Sequence, residues 1–175
     1  MDLQLNTHID ISKVNAGLEN ISGTLRRAVE RGLTRATVLL RNAVQTNIRS
    51  PYGDKPPAVA FGTLADGVTG EVYTENRKQV GRVFLRPPAD RYGLFVELGT
   101  RPHRPPLYAL YPWVQVKFGL TDLREIRRAA WGVATLIEQR GTAGHFMFQR
   151  ALEEHERDVL TILQEEITRS LAELN

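Results

Sequence analysis

The chain of 175 residues contains no cysteine, and this absence excludes disulfide bonds and thiolate zinc sites. A reducing compartment is compatible with that composition. The first residues, Met1-Asp2-Leu3-Gln4-Leu5, lack the basic start and apolar core of a signal peptide. No uninterrupted apolar stretch approaches the ~18 residues that a membrane span needs. We therefore expect a protein that is made in the cytoplasm and is used there or built into a particle there, with no membrane partner.

Residue patterns that carry catalysis or metal binding are also missing. The four histidines, His8, His103, His145 and His155, include no pair four residues apart on a predicted helix. The residues after His155-Glu156 do not complete the H-E-x-x-H zinc motif, and no serine lies in a G-x-S-x-G turn. Neither a phosphate-binding loop nor a dinucleotide fingerprint occurs. We expect no enzyme activity, no catalytic residue, no metal and no cofactor.

The chain does have enough apolar residues for a core, and its charge is unevenly distributed. Apolar residues make up 42% of the sequence, and the length favours one domain over residues 1–175. Residues 1–50 carry seven Lys and Arg against four Asp and Glu, which gives +3. The balance is nine against six over residues 51–120 (+3) and seven against ten over residues 121–175 (−3). Such opposed regions attract nucleic acid or a neighbouring subunit, or are simply solvated.

Residues 11–48 have the spacing of a long helix with a break near Ser22-Gly23-Thr24. A straight helix from Thr24 to Ile48 would be roughly 37 Å long. Ser50-Pro51 ends it, because the residue before proline disfavours helical backbone. Pro51 to Gly62 predicts a long loop that either lies on the surface or reaches a neighbouring subunit. The predicted apolar face consists of Leu18, Ile21, Leu25, Ala28, Val29, Ala36, Leu39, Leu40, Ala43 and Val44.

A hairpin and three further helices are predicted after that loop, and the polar residues 1–10 predict a flexible N-terminus. Val68–Thr74 and Gln79–Leu85 alternate as two strands around a turn. The helices are predicted to start at Leu110 or Pro112, at Asp122 after a Thr121 cap, and at Phe146. The buried faces of the second and third of these helices are expected to hold Ile126, Ala129, Ala130, Val133 and Ile137, and Leu152, Val159, Ile162, Leu163, Ile167 and Leu171.

Residues 92–103 form the most informative stretch of the sequence. Tyr92, Phe95 and Val96 are spaced so that one helical turn would bury all three, and Gly99 would stop that turn. The corner motif also contains Glu97, Thr100, Arg101 and His103. We expect Glu97, Arg101 and His103 to fix this corner through ion pairing.

This corner resembles the head–tail joining and tail-completion proteins of long-tailed bacteriophages, a family of tail components. Its members have a long first helix, a TG-x-L turn, a short antiparallel sheet, a Tyr-Ala-x-x-Val-Glu-x-Gly-Thr corner and a final helix. Phe61-Gly62-Thr63-Leu64 resembles the turn, and residues 92–100 resemble the corner with Gly93 instead of alanine. Residues 144–152 resemble the start of the final helix without its usual prolines. Residues 107–140, with Trp113, resemble the helical insert of longer members.

The resemblance implies a fold, a function and partners. The fold would be α+β, with a short antiparallel sheet packed against long N-terminal and C-terminal helices and a helical insert. The function would be that of a structural virion protein in the neck, which completes the tail or joins it to the capsid connector. Such proteins form rings, commonly hexamers, around the DNA channel. The partners would be head connector, adaptor or stopper proteins and the tail tube or tail terminator, with assembly in the host cytoplasm.

Two clusters of residues are candidates for contacts in such an assembly. Arg27, Arg31 and Arg35 are spaced four apart and form a stripe that would face the channel or the next subunit, with non-specific contact to genomic DNA. A solvated helix face is the alternative for this stripe. The aromatic cluster within residues 108–118 is either a local core or an interaction surface. The alternatives for the whole chain are a tail terminator that caps the tail tube and a non-specific DNA-binding protein.

Overall fold

The computed structural model describes residues 7–8, 23–54, 58 and 62–173. Over these residues the chain has an α+β fold in which a short antiparallel sheet accompanies two long helices, so the predicted fold class is confirmed. The helices are α1 (Gly23–Arg49), α2 (Thr63–Gly67), α3 (Asp90–Leu98), α4 (Leu107–Phe118), α5 (Leu123–Arg140) and α6 (Met147–Ala172). The strands are β1 (Thr7–His8), β2 (Val68–Glu75), β3 (Lys78–Leu85), β4 (Gly99–Thr100) and β5 (Thr142–Ala143).

Helix α1 confirms the helix predicted from Thr24 to Ile48. It ends at Arg49, directly before Ser50-Pro51, where the proline disfavours continuation. The predicted residues of its apolar face are buried or half-buried, and Leu33 and Ile48 extend that face. The part of the predicted helical pattern over residues 11–22 lies outside the described residues.

The hairpin of β2 and β3 is the predicted one, extended by one residue on each side of the turn. Its two strands pair antiparallel along their whole length. Asn76 and Arg77 form the two-residue turn with φ angles of 48° and 64°, and such positive angles match the twist of paired strands. Thr7 lies opposite Val83, so β1 adds a third strand beside β3, within the stretch that the sequence predicts to be flexible.

The main core lies around α1, which packs against the β2–β3 hairpin and against α6. The α1–α6 contact is the most extensive contact between two elements of the described chain. Leu33, Ile48 and Met147 have no exposed surface, and burial of each such side chain stabilises the fold by about 1.5–3 kcal/mol. The expected burial of Leu171 is wrong: 47% of its surface is exposed, in the last turn of α6.

Helices α4 and α5 form the predicted helical insert, but each of them begins at a residue other than the one predicted. Helix α4 begins at Leu107, earlier than the predicted start at Leu110 or Pro112, and contains Pro112 in its interior. Asp122, not Thr121, caps α5, because the helix begins one residue later than predicted. The Asp122 carboxylate accepts hydrogen bonds of 2.9 Å and 3.0 Å from the backbone N–H groups of the next turn.

The α4–α5 hairpin has a small core of its own. Val114, Ile126 and Ala130 are buried in it, and Tyr111 and Trp113 are half-buried against them. The main core shares none of these residues. Of the predicted aromatic cluster, Tyr111 and Trp113 therefore contribute to a local core.

Helix α1 approaches the β2–β3 hairpin closely at Gly70 and Gly81. The side chain of Thr37, only 4% exposed, lies against both Gly70 and Gly81. A Cβ atom on Gly70 would collide with the Thr37 methyl carbon Cγ2, and one on Gly81 would lie 2.9 Å from Thr37 Oγ1. The absence of side chains at these two positions sets the distance between α1 and the sheet.

We expect Gly70→Ala to lower the free energy of unfolding by about 1–3 kcal/mol, because the added methyl group overpacks the contact with Thr37. Thermal and urea unfolding would measure the loss. Gly132→Ala is the matched control, since a Cβ at Gly132 meets nothing within 4 Å inside α5 and should stabilise that helix. Adding Thr37→Ser, which removes Cγ2, should restore part of the lost free energy of unfolding. A double variant that is as unstable as Gly70→Ala alone would contradict this explanation.

Candidate assembly surfaces

The predicted corner is a place where two distant parts of the chain meet. Helix α3 ends at Leu98 with Gly99 as its C-cap, so the predicted stop at this glycine is confirmed, and β4 then pairs antiparallel with β5. The Thr100 and Thr142 hydroxyl oxygens lie 3.0 Å apart. The backbone N–H groups of His145 and Phe146 donate to the carbonyls of Val96 and Glu97 at 2.9 Å and 3.1 Å. The corner therefore fixes the chain just before α6 begins.

Glu97 holds the start of α6 through hydrogen bonds. Its side chain is buried, and the carboxylate accepts from the backbone N–H groups of Phe148 and Gln149, both at 3.1 Å. Phe146 occupies the N-cap position with φ of 50° and has no side chain that can cap the helix. The carboxylate of Glu97 takes over that role, and its negative charge suits the positive end of the helix dipole.

The expected ion pairing of Glu97 with Arg101 and His103 is wrong. Arg101 is exposed, and His103 Nδ1 lies 3.0 Å from the Arg101 carbonyl oxygen. Among the ion pairs of the described residues, none includes any of the three side chains. The free N–H groups of a helix start satisfy the buried carboxylate instead.

The aromatic residues of the corner are less buried than predicted. Phe95 is 56% exposed and Tyr92 is 36% exposed, whereas Val96 is half-buried against the main core. Gly93 is the buried member of this turn, because Leu85 of β3 occupies the space that a Cβ on Gly93 would need. The packing of Leu85 thus explains why alanine, the usual residue of the resembled motif, does not fit here.

Two of the three predicted stripe arginines are engaged within the chain. Arg31 Nε and Arg35 Nη1 lie 3.1 Å and 2.8 Å from the carboxylate of Glu166 on α6, whose side chain is 3% exposed. Arg169 adds a third contact at 3.2 Å. The hydrogen bonds from Arg35 and Arg31, in that order, lower the pKa of Glu166 below its ordinary value of 4.5. This cluster ties α1 to α6, while about half of the Arg31 and Arg35 side chains stays exposed.

The remaining stripe arginine differs from the other two. Arg27 Nη2 donates to Thr24 Oγ1 at 3.3 Å on the exposed side of α1. It forms no ion pair with the described acids, including Glu30 on the same helix. Arg27 is thus the member of the predicted stripe whose charge is not neutralised by a described carboxylate.

The loop after α1 begins by folding back onto its own chain. The rings of Tyr52 and Phe146 meet edge to face with centroids 6.2 Å apart. The Arg150 guanidinium lies 4.5 Å from the centroid of the Tyr52 ring and donates to Asn47 Oδ1 at 3.1 Å. Residues 55–57 and 59–61 lie outside the described part of the chain, so contact of this loop with a neighbour stays a prediction.

The α4–α5 hairpin exposes several large apolar side chains that nothing in the described part of the chain covers. Tyr108 is 74% exposed, Leu123 is 60% exposed, and Phe118 and Trp131 are 54% and 55% exposed. Of the two alternatives for the aromatic cluster, the local core does not apply to Tyr108, whereas the Phe118 ring meets Trp113 edge to face with centroids 6.0 Å apart. Exposed apolar groups that lie close together are typical of interaction sites.

One face of α5 combines an exposed tryptophan with three arginines. Arg124, Arg127 and Arg128 precede Trp131 by seven, four and three residues, so all four lie on one side of the helix. All four are exposed, and none of the arginines pairs with an acid of the described chain. We name this face the basic stripe. Sequence reasoning missed it, although the spacing was a signal that could have revealed it.

The described residues include no cluster of metal-binding side chains and one narrow apolar cavity of note. No group of three His, Asp or Glu side chains within them lies close enough to hold a metal ion. The cavity between α1, β3 and α6 is narrow and apolar, and Leu40, Val83 and Phe148 line it. No helix in the described part is long and apolar enough to cross a membrane.

Comparisons of the chain with protein-family models, with curated proteins and with solved structures find no match.

We expect Glu97→Ala to lower the free energy of unfolding by about 1–3 kcal/mol, because the N–H groups of Phe148, which is buried, and of Gln149 lose their acceptor at the start of α6. Chemical unfolding would measure the loss, and amide hydrogen exchange should rise first at Phe148 and Gln149. Glu156→Ala, an exposed acid on the same helix, is the control and should change stability by less than about 0.5 kcal/mol. Equal effects of the two substitutions would contradict the capping role.

The ion-pair cluster predicts a specific pH dependence of stability. The folded state lowers the pKa of Glu166 below 4.5. The ionised Glu166 carboxylate therefore contributes fully to the free energy of unfolding above pH 4.5, and this contribution is lost as the pH falls through the lower pKa of the folded state. The stability difference between the native chain and Glu166→Gln should therefore shrink as the pH is lowered below 4.5. Glu165→Gln, an acid that is 52% exposed, should show a smaller difference at every pH. A difference that grows in acid would contradict the assignment.

Proposed function

We propose that the chain is a structural virion protein of a tailed bacteriophage. It acts at the head–tail junction, where it completes the tail or joins it to the capsid connector as a ring around the DNA channel. The six-fold ring, the neck position and the virion location come from the resemblance of the motifs between Phe61 and Leu152. Its function is assembly through surfaces, not chemistry at a pocket.

The observation that carries this proposal is the exposed apolar surface of the α4–α5 hairpin. Tyr108, Leu123 and Trp131 would remain in contact with water in an isolated monomer, which is unfavourable by roughly 25 cal/mol for each Å² of apolar surface. An assembly that covers them removes this cost. The α4–α5 hairpin has its own core and is joined to the rest of the chain by short segments, so it can present these residues to a neighbour.

The buried polar contacts of Glu97 and Glu166 with other elements support the same function. Glu97 and Glu166 fix the two ends of α6 relative to the corner and to α1. A component of a ring must keep its shape while its surfaces are bound, and buried polar contacts of this kind favour one arrangement of elements over others. The partners would be further copies of the chain, head connector, adaptor or stopper proteins, and the tail tube or terminator.

A non-specific DNA-binding protein is the second candidate, and the basic stripe favours it. Its three arginines form no ion pair with the acids of the described residues, and with the neighbouring tryptophan they suit phosphate attraction together with base stacking. The tail terminator is the alternative within virion proteins. A terminator would also form a ring in contact with the tail, but it would cap the tail tube instead of joining the tail to the capsid.

Deletion of the gene from the phage or prophage that encodes it tests the proposal. Negative-stain electron microscopy of the lysate should show DNA-filled heads beside free tails, because heads and tails would form but not join. Overlong tails would assign the terminator role instead. The control is complementation with the native gene, which should restore joined particles. Normal infectious particles from the deletion strain would contradict both virion roles and leave DNA binding as the candidate.

A further inference from the structure

Strand β2 forms an edge of the sheet, and one of its two sides has no partner strand among the described residues. The sheet has the order β1-β3-β2, and β2 pairs with β3 along its whole length. The hydrogen bond from the Arg86 N–H to the Gly67 carbonyl sets the phase of this ladder. In that phase, the residues whose N–H and C=O groups point away from β3 are Val68, Gly70, Val72 and Thr74. We name this side of β2 the open edge.

The open edge lacks the features by which proteins usually prevent strand pairing with another chain. Such edges are commonly short, bulged or protected by proline or lysine. Strand β2 has 8 residues without proline or lysine, and its register with β3 contains no bulge. No backbone group of another described residue bonds to the open edge. The open edge is therefore a template for an added strand.

One side of helix α1 lies beside the open edge. Val38, Arg41 and Gln45 are spaced by three and four residues, so they share that side. Gln45 Nε2 donates to the carbonyl of Ala65, just before β2, at 3.0 Å. Val38 is 42% exposed, and Arg41 donates to the Asn42 side chain but forms no ion pair with a described acid. The inward side chains of an added strand would meet Val38 and Arg41.

We propose that the open edge of β2 binds an extended segment of another protein, which becomes the fourth strand of this three-stranded sheet. Main-chain hydrogen bonds supply the affinity of such a contact, and alternate side chains supply its specificity. On the side of the segment that faces α1, an apolar residue fits Val38 and an acidic residue two positions away fits Arg41. The contact goes beyond the proposed function and does not depend on the virion role.

The charge of β2 favours a segment of different sequence over a second copy of β2. Strand β2 contains Glu71 and Glu75 and no cation. On β3, Arg82 lies 3.8 Å from the Glu71 carboxylate, and Lys78 is opposite Glu75 without an ion pair. A second β2 would add like charges on an adjacent strand, which is destabilising. The described strands β1, β4 and β5 have 2 residues each and are too short to fill the open edge.

Selection from a displayed library of random peptides, each long enough to pair with all of β2, tests the proposal. Purified native chain should enrich sequences with an acidic and an apolar residue two positions apart. An enriched peptide, synthesised with a fluorophore, gives a Kd by fluorescence anisotropy. Its binding should slow amide exchange at Gly70, Val72 and Thr74. The amides of Glu71 and Tyr73, which already bond to β3, should change little.

Two substitutions test the backbone and the side-chain part of the contact separately. Thr74→Pro removes an outward N–H at an exposed position and should raise the Kd of the peptide at least about tenfold. Thr74→Ala keeps that N–H and should bind within about twofold of the native chain. Val38→Glu should also raise the Kd about tenfold, because it replaces the apolar contact by a carboxylate.

The matched control for Val38→Glu is Leu160→Glu, the same kind of change at a leucine of α6 that is 54% exposed. It should leave the Kd within about twofold of the native value. Circular dichroism and thermal unfolding would show that each variant is folded. If Thr74→Pro does not fold, Val38→Glu and the exchange pattern of the native chain still decide the outcome.

Enriched peptides that bind Thr74→Pro and Val38→Glu as tightly as the native chain would overturn the proposal, and so would a library that yields no binder. Slower exchange confined to elements other than β2 would place the peptide on a different surface. Self-association of the native chain that Thr74→Pro abolishes would assign the open edge to a second copy instead. Because purified protein suffices, a negative result here leaves the gene-deletion test of the virion function unaffected, and the reverse also holds.

Discussion

The antiparallel packing of α6 on α1 is the contact on which the rest of the structure depends. It buries the apolar side of α1 that the sheet leaves uncovered, and it joins residues that are more than 100 positions apart in the sequence. Glu166 pairs with arginines of α1 in its second half, and Ser170 reaches the Thr24 carbonyl at its end. Glu97 holds the first turn of α6, so the corner cannot move without disturbing this contact.

Local sequence signals predicted the parts of the fold that local physics determines. The apolar spacing of α1, its stop before Pro51 and the alternation of the hairpin each depend on neighbours within a few residues, and all three were predicted correctly. The start of α4 was predicted too late. A proline inside the segment favoured a later start, whereas the packing of the hairpin core keeps Pro112 within the helix.

The candidate surfaces were less predictable, because they depend on contacts distant in sequence. The roles of Glu97 and Glu166 require the partners on α6 and α1, 51 and at least 131 residues away, and no local pattern reveals those partners. The stripe of Arg27, Arg31 and Arg35 was visible as a pattern, but the pattern could not show that a buried carboxylate engages two of its members. The basic stripe of α5 has equally regular spacing, and its three arginines form no ion pair with a described acid.

We propose that this chain is a component of phage particles and that its α4–α5 hairpin contacts neighbouring subunits. Quantitative mass spectrometry of gradient-purified particles tests it most directly, with the major capsid protein as an internal standard. We expect the chain to be present at a small, fixed number of copies per particle and to remain after high-salt washing. Its absence from washed, infectious particles, alongside its abundance in the soluble lysate, would contradict a role in the particle.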